Sequence, residues 1–160
     1  MSHPLSIKTL VRQYTNALSA LRKAKVIRSA NVIGDLGEWY AIDHYTRTLS
    51  KPTLTQAPPS TKAHDAVDRR TGAKYAIKTV RVSSKTTGVF YGISTTNSKM
   101  HCRQVFDYLI IVVLSDSLTV QSIYELPWDE FKKNMKWHSR MMAWNVTVTK
   151  RLTSFRLPGF

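Results

Sequence analysis

Cysteine is almost absent from this chain: Cys102 stands alone, so no internal disulfide can form. No CxxC pair accompanies it, and His3, His44, His64, His101 and His138 show no metal-ligand spacing, which argues against a structural zinc. Glycine is scarce, with six residues, and neither GxxxxGK[ST] nor GxGxxG occurs. A P-loop and a dinucleotide-binding turn are therefore excluded. Long apolar runs are missing too. The longest, Tyr108 to Leu114, is about a third of the roughly 20 residues that span a bilayer, and reads as a buried strand. The N-terminus MSHPLSIKTLVRQY has no uninterrupted apolar stretch, so no signal peptide and no membrane association are expected. A cytoplasmic location agrees with the lone thiol. Acidic residues are the last shortage, ten against 24 Lys and Arg.

That imbalance leaves a formal charge of +14 and a pI near 10.2 on 160 residues. The partner it predicts is a polyanion, nucleic acid first. Hydrophobic residues make up 42%, enough for a core, and the length fits one domain.

From Ser6 to about Arg28, Ile7, Leu10, Val11, Tyr14, Leu18 and Leu21 recur at helical spacing among basic residues, which predicts an amphipathic basic helix. A second helix is expected from Val32 to Leu49, stopping near Lys51-Pro52 and carrying Asp35 and Glu38. Residues 50–63 hold three prolines and read as a loop. Strands are predicted at Ala66–Arg69 and Lys74–Val82 as a hairpin around Arg70-Thr71-Gly72. Three more are expected at Gly88–Thr95, Asp107–Leu114 and Leu118–Leu126. Pro127 suits the start of a short helix over Trp128–Met135, and Trp144–Thr149 reads as a last strand. Helices followed by a run of strands indicate an α+β (mixed α/β) fold. Trp39, Trp128, Trp137 and Trp144 are far apart and read as core or interface residues.

The chemically informative stretch is His64-Asp65-Ala66-Val67-Asp68, a turn, and Lys74-Tyr75-Ala76-Ile77-Lys78-Thr79-Val80-Arg81. Side chains two apart on a strand share a face, so Ala76, Lys78 and Val80 point one way and Tyr75, Ile77, Thr79 and Arg81 the other. A hairpin brings Asp65 beside the first face. A carboxylate that holds a hard cation, next to a lysine that orients water, is what metal-assisted phosphodiester hydrolysis needs. The plainer alternative is that Asp65 and Asp68 cap turn N–H groups and that Lys78 is a solvated strand lysine.

This arrangement resembles the PD-(D/E)xK, or restriction-endonuclease-like, nuclease superfamily, and most of all the small PvuII-type homodimeric type II restriction enzymes. The resemblance rests on Asp65-Ala66-Val67-Asp68, the Tyr75-x-x-Lys78 strand, the aromatic segment ending Ser94-Thr95, and the apolar strand leading to Ile123-Tyr124-Glu125-Leu126, covering roughly residues 30 to 127. It implies a nuclease-like domain with a central mixed β-sheet flanked by helices, and the length fits a single such domain over residues 1–160; residues 1–30 read as a helical segment whose Leu10, Tyr14 and Leu18 form either the dimer interface or part of each monomer's core. It further implies a Mg²⁺ cofactor, double-stranded DNA as substrate, a homodimer, and a separate cognate DNA methyltransferase. Asp65 resembles the family's metal-binding aspartate and Lys78 its catalytic lysine, with Asp68 the fallback for Asp65 in a shifted register. Ala76 stands where the family has its second metal carboxylate. Three arrangements are compatible with that departure: Glu38 supplies the missing carboxylate, with Asp65, as a metal ligand; alanine replaces the family's acid in an inactive variant; or the protein binds DNA without cutting it. A weaker third class is RNA binding or junction resolution.

Ser94-Thr95-Thr96-Asn97-Ser98-Lys99-Met100-His101 is dense in short donor and acceptor side chains suited to base edges. In the resembling enzymes this segment carries base contacts, whereas a polar loop is the plain alternative. Lys85, with Thr86 and Thr87, and Arg81 are candidate phosphate contacts. Lys132, Lys133, Lys136, Arg140, Lys150, Arg151 and Arg156 make the C-terminal part basic, as a DNA arm or a solvated face.

Overall fold

The computed structural model describes residues 5–159. Two helices come first, α1 (Ile7–Lys23) and α2 (Val32–Arg47). The Ser6 hydroxyl caps α1 by accepting from Thr9 N–H, and the Asn31 side chain caps α2 by accepting from Gly34 N–H. Five strands form one mixed sheet: β1 (Leu54–Gln56), β2 (Ala66–Asp68), β3 (Lys74–Arg81), β4 (Tyr108–Leu114) and β5 (Val120–Pro127). Their spatial order follows the chain. All neighbours are antiparallel except β3 and β4, which run parallel from Tyr75↔Tyr108 to Arg81↔Leu114. A short α3 (Trp128–Asn134) follows directly after Pro127, and then a two-stranded ribbon of β6 (Lys136–His138) and β7 (Ala143–Asn145). The mixed α+β class expected from the element order is the observed one.

The sheet separates two cores, because alternate residues of β3 and β4 point to opposite faces. On the first face Ala76, Val80, Leu109, Ile111 and Val113 pack with Phe90, Phe106, Trp128, Phe131 and Trp144. The rings of Phe90, Phe106, Trp128 and Phe131 meet at centroid distances of 4.9 to 5.8 Å. Each such pair contributes about 0.5–1.5 kcal/mol beyond its buried area. On the second face Tyr75, Ile77, Ile110, Val112 and Leu114 pack under Ala41 and Tyr45 of α2.

Several predicted boundaries are corrected. No strand forms at Gly88–Thr95: Phe90 makes one isolated bridge to Trp144, Thr86 another to Thr147, and Gly92 adopts φ +76°. This irregular chain, residues 82–107, crosses the first face to connect the parallel strands. Conversely, β1 lies inside the stretch read as a loop, since Leu54 has a buried place against α2 and the antiparallel β2 beside it. Helix α1 stops at Lys23, because Lys25 turns to φ +59°, and β5 starts at Val120 because Leu118 sits at φ +63° in the preceding turn. The final strand is shorter than expected, Ala143–Asn145, and it pairs with a further strand, β6, over residues expected to follow the short helix without regular structure. Among the described residues no helix is long and apolar enough to cross a membrane.

Candidate active site

Strand β2 pairs with β3 through only two residue pairs, Ala66↔Tyr75 and Val67↔Lys74. Beyond that point β3 runs on, and its next backbone donor on this edge has no strand to meet. Asp65 fills the gap. Its N–H donates to Tyr75 O at 2.8 Å, and its Oδ2 accepts from Ile77 N–H at 2.7 Å, so the carboxylate takes the place of a missing ladder bond. Asp68 has a different task. It accepts from Arg70 N–H at 2.9 Å and from the Thr71 hydroxyl, and these bonds, Thr71's first, hold its carboxyl below the usual carboxylate range. Of the two aspartates, Asp68 closes the turn and Asp65 marks the notch.

An open cleft of about 1150 Å³ spreads from this notch over the first face of the sheet. Asp65, Ala76 and Lys78 line it together, with His64 beside them, as the alternation along β3 predicts. Lys62, Lys74 and Arg103 add positive charge, while Asp107 is the second acid on the wall. The Lys78 ammonium lies 5.1 Å from the centre of the Phe90 ring, which holds a cation at the floor of the cleft. Ala76 is 3% exposed and presents a methyl group where the resemblance calls for an oxygen.

Glu38 approaches from the other side of the sheet. It lies outside the cleft lining, on α2, where its Oε2 accepts from Arg28 Nη2 at 3.0 Å and Gln56 Nε2 at 3.0 Å. Burial pushes its carboxyl up, the negative charge of Asp65 pushes it further, and the Gln56 and Arg28 bonds oppose both. The two acids therefore share one electrostatic neighbourhood. Arg28 is itself fixed, donating through Nη1 to Ala57 O at 3.2 Å, while its backbone N–H and that of Ser29 donate to buried Asp35 at 2.7 and 2.6 Å. Arg28 and Gln56 were not legible as site residues: one lies ten positions before Glu38, the other in the proline-rich stretch.

Magnesium is commonly held by one or two carboxylates and keeps several waters. Asp65 and Glu38 are of the chemistry that donor set needs: burial first, and the charge of Asp65 second, raise Glu38, and a nearby cation would offset both. Among the described residues no group of three or more His, Cys, Asp or Glu is gathered as a metal cage. The cleft itself thus presents Asp65, the Ala76 methyl and Lys78, while Glu38 stands apart from its lining, bonded to Arg28 and Gln56.

The recognition segment divides into inward and outward residues. The Ser94 hydroxyl accepts from Trp144 Nε1 at 2.8 Å and donates to Thr96 O at 2.8 Å; Ser98 accepts from Met100 N–H. Lys99 donates to Lys133 O at 2.9 Å, with its ammonium 6.0 Å from the Trp144 ring centre, and burial lowers its pKa. These three hold the segment down. Thr95, Thr96, Asn97 and His101 remain exposed, as do Arg81 at the end of β3 and Lys85 beyond it, at φ +55°. No protein-family model matches this chain, and no curated protein sequence matches it.

Proposed function

We propose that this protein is a Mg²⁺-dependent endonuclease of restriction type, hydrolysing phosphodiester bonds of double-stranded DNA at specific sites. In this reading it works in the cytoplasm as a homodimer, beside a separate cognate DNA methyltransferase. The observation that carries the reading is the notch: Asp65, bonded to Ile77 N–H, shares a cationic cleft with Lys78, and Glu38 stands within reach of its field. Asp65 would hold the metal, with Glu38 as the second carboxylate once it exchanges Arg28 for the ion. Bound there, Mg²⁺ supplies Lewis acidity toward the phosphate oxygens. Lys78 orients the attacking water and balances charge on the phosphate. Lys62, Lys74 and Arg103 draw the DNA backbone into the cleft, and Thr95, Thr96, Asn97 and His101 face the bases. Two-fold pairing on a palindromic site places one such notch on each strand.

A second reading is favoured by one specific observation, the buried methyl of Ala76 beside a Glu38 already balanced by Arg28. In it the fold binds DNA without cutting.

Cleavage of supercoiled plasmid with Mg²⁺ separates the two, comparing the protein with its Ala76→Glu, Glu38→Ala and Lys78→Ala variants. The nuclease reading expects chelator-sensitive cutting, increased by Ala76→Glu and reduced about 10²–10⁴-fold by Lys78→Ala. If only Ala76→Glu cuts, the chain is an inactive variant of such an enzyme. Binding without cutting in both the parent and Ala76→Glu supports the second reading, and chelator-resistant cutting overturns the metal mechanism.

A further inference from the structure

A second cavity, of about 730 Å³, lies on the opposite face of the same hairpin and has no part in the chemistry above. Its volume falls in the range of small-ligand sites. Its floor comes from three adjacent strands, with Tyr75 on β3, Tyr108 on β4 and Glu125 on β5; its walls are residues 49–53 and the turn from Asp68 to Ala73. Tyr75 is buried, stacked on Tyr108 at 4.9 Å and 17°, and meets the edge of Tyr45 at 5.8 Å. Tyr108, partly buried where Tyr75 is fully so, is therefore the ring of the pair that an incoming molecule meets.

Glu125 stands beside this platform. Its carboxylate accepts from Lys51 Nζ at 3.1 and 3.2 Å and from the Tyr45 hydroxyl, and both members of the ion pair are about one-fifth exposed. Pairs shielded to this degree are weak stabilisers, because desolvation offsets the Coulomb attraction. Burial raises Glu125, lowers Lys51 and pushes Tyr75 up to about 12, so the polar groups sit in a poorly solvated pocket. Perturbed groups that line a cavity make it a candidate functional site. At the rim, Arg69 and Arg70 are exposed, and Arg69 is steadied by the Thr55 hydroxyl at 2.6 Å. Asp68, the nearest acid to them, is committed to its own turn.

We propose that this cavity binds a nucleoside phosphate, with the base stacked on Tyr108, its exocyclic amino group donating to Glu125, and the phosphate on Arg69 and Arg70. The division of charge selects this class. A cationic rim takes a phosphate, a planar ring takes a base, and an acid at the floor accepts from an amino-bearing base while rejecting a bare anion. The same chemistry is offered by a free mononucleotide and by the terminal nucleotide of a DNA strand.

Calorimetric titration of the full chain without Mg²⁺, using cytidine monophosphate and adenosine monophosphate, tests this. Saturable binding is expected, about 10-fold weaker in Arg70→Ala, as fits the loss of a charged hydrogen bond. Tyr108→Ala should weaken it similarly, and Tyr108→Phe should retain it. Because Tyr108 also supports β4, Arg70→Ala on the exposed turn keeps the test decisive if Tyr108→Ala fails to fold. Competition by a 5′-phosphorylated oligonucleotide assigns the site to a strand end; lack of competition assigns it to free nucleotide. The proposal is overturned by absence of binding at millimolar nucleotide, by inorganic phosphate binding as tightly as the nucleotide, or by binding that Lys78→Ala abolishes and Arg70→Ala leaves intact. That last result would move the nucleotide to the cleft.

Discussion

At position 37 any side chain collides with β3. A Cβ built on Gly37 would come 1.7 Å from Thr79 Oγ1 and within 3 Å of Thr79 Cβ and Cγ2, so α2 lies on the strand at backbone distance. That approach is what carries Glu38 to the edge of the sheet. Gly37→Ala should cost about 1–3 kcal/mol by overpacking and weaken whatever Glu38 contributes. Thermal unfolding and magnesium-dependent cutting measured on one sample check both effects. Thr79→Ala removes the closest clash and leaves Cβ in place, so its rescue should be partial. Thr79 Oγ1 is buried with no partner among the described residues, and Thr79→Val should therefore be neutral or stabilising by roughly 1 kcal/mol. A loss of stability in Thr79→Val would mean that the hydroxyl has a partner after all. Asp68 gives a pH signature. Its folded carboxyl lies below the usual 3.8, so its contribution is complete above the unfolded value and fades as pH falls through the folded one. Asp68→Asn should flatten the acid side of the stability curve; an unchanged acid limb would remove the turn from the account.

Among the elements, α1 is the one the monomer leaves uncovered. Ile7, Leu10, Val11 and Tyr14 are 81, 49, 56 and 64% exposed, and no residue of the helix is buried. They lie on one stripe, with Lys8, Arg12 and Lys23 on the other side. If two copies pair through this stripe, Leu10→Asp should give a monomer in sedimentation while leaving the melting temperature nearly unchanged, since the helix adds little to its own chain. A parent that sediments as a monomer at every concentration would sink the dimer. The helices were legible because 3.6-residue periodicity is local, and the β2–β3 hairpin because Gly72 and two-residue alternation are local. The misread segments depend on distant partners instead. Strand β1 is extended only because β2 and α2 accept it, and residues 88–95, strand-like in composition, find just one isolated bridge, from Phe90 to Trp144. The site divides in the same way. Asp65 and Lys78 follow from the hairpin, whereas the Arg28 and Gln56 bonds on Glu38 join segments that no local pattern relates. Likewise, Ser94 and Lys99 turn inward because Trp144, some fifty residues on, waits for them.

On the scale of the molecule, the charge of +14 is presented mainly by exposed cations. Half of the ten acids are tied up by partly buried bonds of the fold: Asp35 by the backbone N–H groups of Arg28 and Ser29, Glu38 by Arg28 and Gln56, Asp65 by Ile77 N–H, Asp68 by its turn, Glu125 by Lys51. The exposed cations Lys8, Arg12, Arg81, Lys85, Arg103, Arg140, Lys150 and Arg151 are spread over α1, the cleft side and the C-terminal region. A surface of this kind binds DNA by releasing counterions, so the logarithm of affinity should fall linearly with that of salt, by about 0.9 for each phosphate contacted. With six or more contacts, binding should weaken about 10³-fold or more between roughly 50 and 200 mM salt. The slope also locates the DNA. Lys62→Ala and Arg103→Ala line the cleft and should each reduce it by about 0.9, while Lys150→Ala does so only if the C-terminal region touches the backbone. Filter binding to one duplex across a salt series, with the chelator present to stop cutting, measures all of these on equal terms. Slopes lowered by Lys150→Ala and Lys8→Ala but not by the cleft variants would place the DNA away from Asp65, and the notch could then have no phosphodiester to act on.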